Sequence, residues 1–334
     1  MKQELKKITV STSPFLHGSD TTPRIMWEVI FSLLPMVGAA YYFFGLGALV
    51  LIATTIAGCM LTEIAFDYSK QKGASLRDGS AIITGLLLAM CLPPGFPIWM
   101  AFIGGVVAIG MGKLIWGGLG QNVFNPALLG RAFLQAAFPT AITTWSLPDG
   151  RHFSFRGSNT AIPFFQGENL DAVSAATPLS QMKFEKIATP LSDLLWGNIS
   201  GSLGETSAIL FIIAGVYLIW RKIINWRIPV SILGTVIFIS GIIWLFNSAN
   251  YPSPLFMLLS GGLLLGAIYM ATDLVTSPIT PKGLWIYGIG IGMLVVLIRL
   301  WGGLPEGVMY AILLMNACTP LINRFTRIKP YGHR

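Results

Sequence analysis

Charge is what this sequence has least of. Only 11% of its 334 residues are Asp, Glu, Lys or Arg, against about a quarter in a soluble domain, while 54% are hydrophobic. That excludes a soluble globular fold and points to a polytopic membrane protein. Cysteine is nearly absent as well: Cys59 and Cys91 lie inside apolar segments and Cys318 near the end of another, without CxxC spacing or companion histidines. A disulfide framework or a cysteine-bound cluster built by this chain alone is therefore excluded; a site between subunits that borrows one thiol stays open. Behind the polar, lysine-rich stretch Met1 to Val10 there is no short apolar core with a small-residue cleavage site. No cleaved signal peptide is expected, and the first span would itself direct insertion. The formal charge of +8 sits mostly in short loops flanking apolar runs, where it sets orientation rather than binding nucleic acid.

What is present in abundance is apolar sequence in long runs. Ten of them, at Trp27 to Phe44, Leu46 to Phe66, Ala81 to Leu92, Pro97 to Trp116, Val123 to Phe138, Ser207 to Trp220, Ile228 to Phe246, Pro254 to Ala271, Leu284 to Trp301 and Val308 to Ile322, are long enough or nearly so to cross about 30 Å of hydrocarbon. The third stops at Pro93-Pro94-Gly95 and the eighth runs into Thr272-Asp273 and Ser277-Pro278. Broken helices at membrane depth occur where protein or a cavity satisfies the freed backbone groups, so both are candidate binding positions. With the N-terminus inside, sixteen lysines and arginines, Lys2, Arg24, Lys113, Arg221 and Arg324 among them, fall on the inner side; Arg151, Arg156, Lys183, Lys186 and Arg299 fall on the outer side. This asymmetry predicts ten spans with both termini cytoplasmic.

The two halves echo each other. Gly85-Leu86-Leu87-Leu88-Ala89 returns as Gly262-Leu263-Leu264-Leu265-Gly266, and Trp116-Gly117-Gly118-Leu119 as Trp301-Gly302-Gly303-Leu304. Five spans per half is an odd number, so the repeats would have opposite topology. The expectation is an all-α polytopic membrane protein of about ten transmembrane helices in two inverted five-helix repeats, with broken helices and one long extracytoplasmic loop. Its parts would be a cytoplasmic N-terminal segment (1–26), a first membrane repeat (27–138), the loop (139–202), a second membrane repeat (203–323) and a cytoplasmic tail (324–334).

Three constellations carry polar chemistry. In the outer loop, Asp171, Ser174, Ala175, Ala176 and Thr177 form the local pattern onto which flavin transferases esterify FMN through a threonine hydroxyl. A free threonine is a poor nucleophile, so such an ester needs an enzyme and an accessible segment of small residues. The same Thr177 is equally a helix N-cap before Pro178. The second constellation is Gly117 to Ala127, with Gly130 and Arg131. Asn122 and Asn125 offer paired amides that suit an isoalloxazine edge, Pro126 suits a first helical turn, and Arg131 lies within a span, paired or bonding helix-end carbonyls. The third is Thr272, Asp273 and Thr276 at the end of the broken eighth run, where the acid could pair with a lysine, bind a cation, contact a cofactor or cap a helix. Glu63 and Asp67, one turn apart near the inner end of the second run, suggest either a proton relay or a pair simply solvated at the interface, and neither is assigned a role.

Taken in order, GGLGQNVFNPALLGRAFL from Gly117 to Leu134, Asp-x-x-Ser-x-Ala-Thr-Pro-Leu from Asp171 to Leu179 and Ala-Thr-Asp-x-Val-Thr-Ser-Pro from Ala271 to Pro278 resemble one family over nearly the whole chain. That family is RnfD, a membrane component of the Rnf ion-translocating electron-transport complex, and, more distantly, NqrB of the sodium-translocating NADH:quinone oxidoreductase. The resemblance implies covalent FMN on Thr177, a noncovalent riboflavin in the membrane part, and electron relay between ferredoxin and NAD coupled to Na+ or H+ movement. It implies as partners the flavin-carrying RnfG, the membrane components RnfA and RnfE, the ferredoxin- and NAD-handling RnfB and RnfC, and a flavin transferase, in a bacterial or archaeal cell membrane. Ala175, where the commonest flavinylation pattern has glycine, is the departure. No dinucleotide fingerprint or series of cysteine ligands is present, so NAD and iron–sulfur chemistry would belong to those partners. The alternative is a solute channel or transporter on the same inverted repeat without covalent flavin.

Overall fold

Proline following a hydroxyl or amide residue starts four of the helices among the described residues. At Asn125-Pro126, Thr177-Pro178, Ser253-Pro254 and Thr280-Pro281 the first residue accepts a backbone N–H of the first turn through its side chain, and the proline occupies a position whose own N–H is not needed. The computed structural model describes residues 21–70, 78–148, 153, 159–161, 176–205, 207–248 and 250–327. Among these, all regular structure is helical: α1 (Thr22–Phe44), α2 (Leu46–Lys70), α3 (Ser80–Met90), α4 (Ile98–Ile109, continued by a π-helical turn Gly110–Leu114), α5 (Pro126–Ala137), α6 (Pro139–Ile142), α7 (Pro178–Ser180, with a π-helical turn Gln181–Glu185), α8 (Leu191–Trp196), α9 (Ala208–Trp220), α10 (Arg227–Phe246), α11 (Pro254–Leu259), α12 (Leu263–Leu265, with a π-helical turn Gly266–Met270), α13 (Pro281–Trp301) and α14 (Val308–Phe325).

Each of the ten apolar runs holds helix. Five helices, α1, α2, α10, α13 and α14, are long and apolar enough to cross a membrane; Ser80–Met90, Ile98–Leu114 and Ala208–Trp220 are shorter apolar helices. At 12 residues α5 reaches about 18 Å, well short of a bilayer core. The protein is thus a polytopic membrane protein that combines full spans with partial ones.

Helix association in lipid relies on close packing rather than on water exclusion, so small residues mark the contacts. In the first half α2 packs on α4 and α4 on α5; in the second α10 packs on α13 and α13 on α14. Glycine makes the α2–α4 approach possible: a Cβ at Gly105 would lie 2.6 Å from Thr55 O, and one at Gly58 2.5 Å from Phe102 O. Gly292, against Thr235 and Ile232 O, does the same for α13 on α10. Polar bonds join the halves. Tyr269 Oη donates to Ser32 O at 3.2 Å, Asn125 Nδ2 to Met270 O at 3.1 Å, and Arg221 pairs with Glu28 at 2.6 Å.

Three features differ from what the sequence predicts. The eighth run breaks twice, not once: Ser260, Gly261 (φ 66°) and Gly262 interrupt it before the expected break at Thr272, because glycine tolerates that left-handed turn. The loop from Ala176 to Glu205 is packed into the bundle rather than draped over it, with Leu194 and Leu203 fully buried and Leu203 N and Gly204 N donating to Leu92 O and Met90 O. Those bonds satisfy the carbonyls freed where α3 ends. Finally, α1 begins already at Thr22 and α14 runs to Phe325, so both helices extend a few residues beyond the apolar runs that mark them in the sequence.

Gly105→Ala is expected to destabilise the protein by about 1–3 kcal/mol, the usual cost of overpacking. Gly38→Ala, at a position on α1 with nothing within 4 Å of the added carbon, is expected to be neutral or stabilising. Chemical unfolding of both variants in mixed micelles checks the contrast.

Candidate functional site

The start of α5 meets the end of the broken segment α12. Asn125 caps α5 through Oδ1, which accepts Ala127 N at 3.0 Å, and its amide donates across to Met270 O. The carbonyl left by α12 is thereby satisfied from the opposite half. Beside this junction lies a cavity of about 120 Å³ with mostly apolar walls and a few polar groups, Asn122, Asn125, Thr272, Asp273 and Lys113 among them. That lining has the character of a small-molecule or cofactor site, while the volume is below the roughly 300–1,000 Å³ usual for one. Four residues singled out in two distant sequence segments thus face one space. Asp273 is itself held in a turn: Oδ1 accepts Val275 N at 3.4 Å, Oδ2 accepts Thr276 Oγ1 at 3.1 Å, and the Asn122 amide lies against the same carboxylate. Thr276 is thus behind the site rather than in its wall, and Thr319 Oγ1 holds its carbonyl at 2.9 Å.

Thr177 lies elsewhere. Its Oγ1 accepts Ser180 N at 3.2 Å and shares a hydrogen with Ser180 Oγ at 3.0 Å, so it is the N-cap of α7, and it is only 6% exposed. The accessible acceptor expected from the sequence is, at this residue, engaged and covered. Ala176 O accepts Ser200 Oγ at 2.5 Å. Asp171, Ser174 and Ala175 lie outside the described residues. Beyond α7, Lys183 donates to Gly302 O at 2.5 Å and Leu304 O at 2.8 Å, taking up carbonyls at the C-terminus of α13. Partial burial holds this lysine below the usual lysine pKa. The Asp273 turn precedes the N-terminal end of α13 by a few residues, whereas Lys183 bonds the C-terminal end of that helix, so the two places lie at opposite ends of it.

Arg131 belongs to neither place. Its Nη2 meets Glu306 Oε2 at 2.8 Å, and Glu306 Oε1 accepts Gly262 N at 2.7 Å. Arg299, expected at the outer surface, is 3% exposed and donates to Met257 O at 2.5 Å and Ser260 O at 2.9 Å. The role of bonding helix-end carbonyls, expected as one option for Arg131, falls to Arg299, while Arg131 takes the ion-pair alternative. Glu205 Oε1 accepts Ser202 Oγ at 3.0 Å close by, so two arginines and two glutamates share this interior.

Residues 9–332 match the profile of a known family. The chain belongs to the NQR2, RnfD, RnfE family. It is 42% identical to the D subunit of the proton-translocating ferredoxin:NAD(+) oxidoreductase complex of Clostridium ljungdahlii over 347 aligned positions, covering 99% of this chain and 98% of the relative. It is 41% identical to the D subunit of the Na(+)-translocating ferredoxin:NAD(+) oxidoreductase complex of Acetobacterium woodii, covering 97% and 95%. The D subunit of an ion-translocating oxidoreductase complex of Actinobacillus succinogenes is 38% identical, with 97% and 98% covered.

Within this member of the NQR2, RnfD, RnfE family, the charges that matter most inside the protein are ones that sequence spacing does not mark. Glu63, assigned no role from the sequence, is fully buried and accepts from Lys113 Nζ at 2.6 Å; Lys113, counted among the inner-side topology charges, is 2% exposed. Spacing gave no sign of either, since the partners are 50 residues apart. Spacing is equally silent on Glu205 and Glu306, for which the one signal in the sequence is an acid close to apolar runs. Arg131→Met is expected to destabilise by about 3 kcal/mol, because it leaves the Glu306 carboxylate without its cation. Adding Glu306→Gln should recover part of that loss in a double-mutant cycle measured by unfolding in micelles.

Proposed function

We propose that this chain is the RnfD-type membrane subunit of an ion-translocating ferredoxin:NAD+ oxidoreductase, and that it carries FMN esterified to Thr177 and a noncovalent riboflavin in the cavity at Asn122, Asn125, Thr272 and Asp273. Near-full-length relatives named as the D subunits of such complexes support the role. The observation that carries the riboflavin assignment is the convergence of two sequence segments, Asn122–Asn125 and Thr272–Asp273, on one mostly apolar cavity. Its amides and carboxylate match a flat heteroaromatic with donors and acceptors along one edge, and its apolar walls match the ring faces. Flavin, when bound, supplies the electron-carrying chemistry. The protein's part is to hold the ring, exclude water from it and bias its potential.

At the other end, Thr177 follows small residues and precedes the anchored α7, so an ester there would be tethered to the C-terminus of α13 through Lys183. Because Thr177 Oγ1 is buried as a cap, FMN attachment requires this segment to be met by the flavin transferase before it seats, or to lift from its seat. Two inverted five-helix repeats with both termini cytoplasmic would put the Asp273 cavity toward the inner side and Thr177 toward the outer side. Electrons would pass between these two flavins and the redox centres of partner subunits, with RnfA, RnfB, RnfC, RnfE and RnfG as the expected company. Ion movement would follow if reduction changes which membrane conformation is favoured. A solute channel or transporter has the same use for broken helices, but it has none for a threonine ester.

Coexpressed with a flavin transferase, the wild-type chain is expected to give a fluorescent flavin band on a denaturing gel, and Thr177→Ala to abolish it. Absence of the band from the wild type would sink the covalent assignment. Asn125→Ala and Asp273→Ala are each expected to lower acid-extractable riboflavin at least tenfold while leaving that band intact; unchanged riboflavin in both would remove the cavity as its site.

A further inference from the structure

Burying a lysine inside a membrane protein is costly unless the ammonium is paired and bonded. Lys113 meets those conditions in an asymmetric way. Its ammonium carries three donors. One goes to Glu63 Oε1 at 2.6 Å and one to Ser80 Oγ at 2.6 Å, and Ser80 in turn donates to Asp78 Oδ1 at 2.6 Å. A third donor remains. Lys113 and Ser80 line the cavity, whereas Glu63, which pairs with the lysine, does not. The cavity is thus presented with the positive end of a buried ion pair.

Local structure is arranged to produce this. Lys113 sits on the π-helical turn Gly110–Leu114 that continues α4. Met111 and Ile115, on either side of it, are half or more exposed, while Lys113 is turned inward. A π-turn shifts the side-chain register relative to an α-helix, and such turns recur at functional sites. Gly112 lets the same turn approach the start of α5, since a Cβ there would lie 2.8 Å from Pro126 Cα. The ammonium is thereby brought to the same wall as Asn125.

We propose that Lys113 is a positioning residue for the redox potential of the flavin in this cavity: its ammonium, backed by Glu63, faces the ring and favours the reduced, negatively charged form. The proposal rests on the riboflavin reading of the cavity. Two electrons and one proton convert the neutral oxidised ring into a reduced ring with one negative charge; in the titration below dithionite supplies the electrons and solvent the proton. A cation at the wall stabilises the charged product and leaves the neutral reactant almost unaffected, so the potential rises.

The test uses the full-length chain carrying Thr177→Ala, so that the noncovalent flavin alone is titrated, purified in detergent and followed by its visible absorbance. Lys113→Met is expected to shift the reduction equilibrium at least tenfold toward the oxidised form, a fall of about 29.6 mV for a two-electron couple. Glu63→Gln removes the compensating negative charge and is expected to shift it the opposite way, and Lys113→Arg to keep the wild-type potential. Merely loosening the site would move Lys113→Met and Glu63→Gln in the same direction. Shifts of the same sign, or none, overturn the role of Lys113 while leaving the riboflavin reading in place. A Thr177→Ala chain holding no flavin overturns both. Where Lys113→Met fails to fold, Lys113→Arg and Glu63→Gln carry the test, the first unchanged and the second raised.

Discussion

A helix cannot be interrupted inside hydrocarbon unless something accepts and donates the bonds that the interruption frees. The rest of this protein depends on how that constraint is met at Ser260–Gly262. Arg299 reaches across from α13 and takes the carbonyls of Met257 and Ser260, while Glu306 takes the Gly262 amide. Glu306 is in turn held by Arg131 on α5. One break in the second half is therefore tied to a helix of the first half through a carboxylate and a guanidinium.

From this follows the placement of both candidate sites. The break lets α12 end beside the start of α5, where Met270 O can receive the Asn125 amide and where the cavity opens. On its other side, Gly261 lies against Leu179, two residues past Thr177, so the same interruption seats α7. Neither place is built by one stretch of chain. Each draws on a short helix and on the broken helix of the second half, so irregular backbone serves packing as well as site building.

The proposed relay gives these features a common purpose. A tethered FMN near one face and a riboflavin deeper toward the other would be separated by much of the membrane, with the buried charges between them. Arg131 with Glu306 near the break and Lys113 with Glu63 at the cavity are each balanced pairs. Balanced pairs make burial tolerable, and their orientation rather than their net charge decides what field a bound ring experiences.

Hydrophobic periodicity and length sufficed to foresee a polytopic helical protein, because the bilayer imposes its thickness on any spanning segment. The starts at Asn125-Pro126 and Thr177-Pro178 were equally legible, since capping chemistry acts over three or four residues. So were Asn122, Asn125, Thr272 and Asp273 as polar positions out of place in apolar runs, although not their meeting. The partners of Arg131, Lys113 and Arg299 were invisible: an ion pair or a carbonyl contact between residues tens of positions apart leaves no periodic trace. Nor could the sequence say that Thr177 would be covered, for the cluster that seats α7, Leu179 with Leu194, Ile199 and Phe256, is assembled from segments far apart in the chain. Composition and local chemistry, acting at short range, determined the elements of this protein; which buried charge faces which space was decided only when the two halves closed on each other.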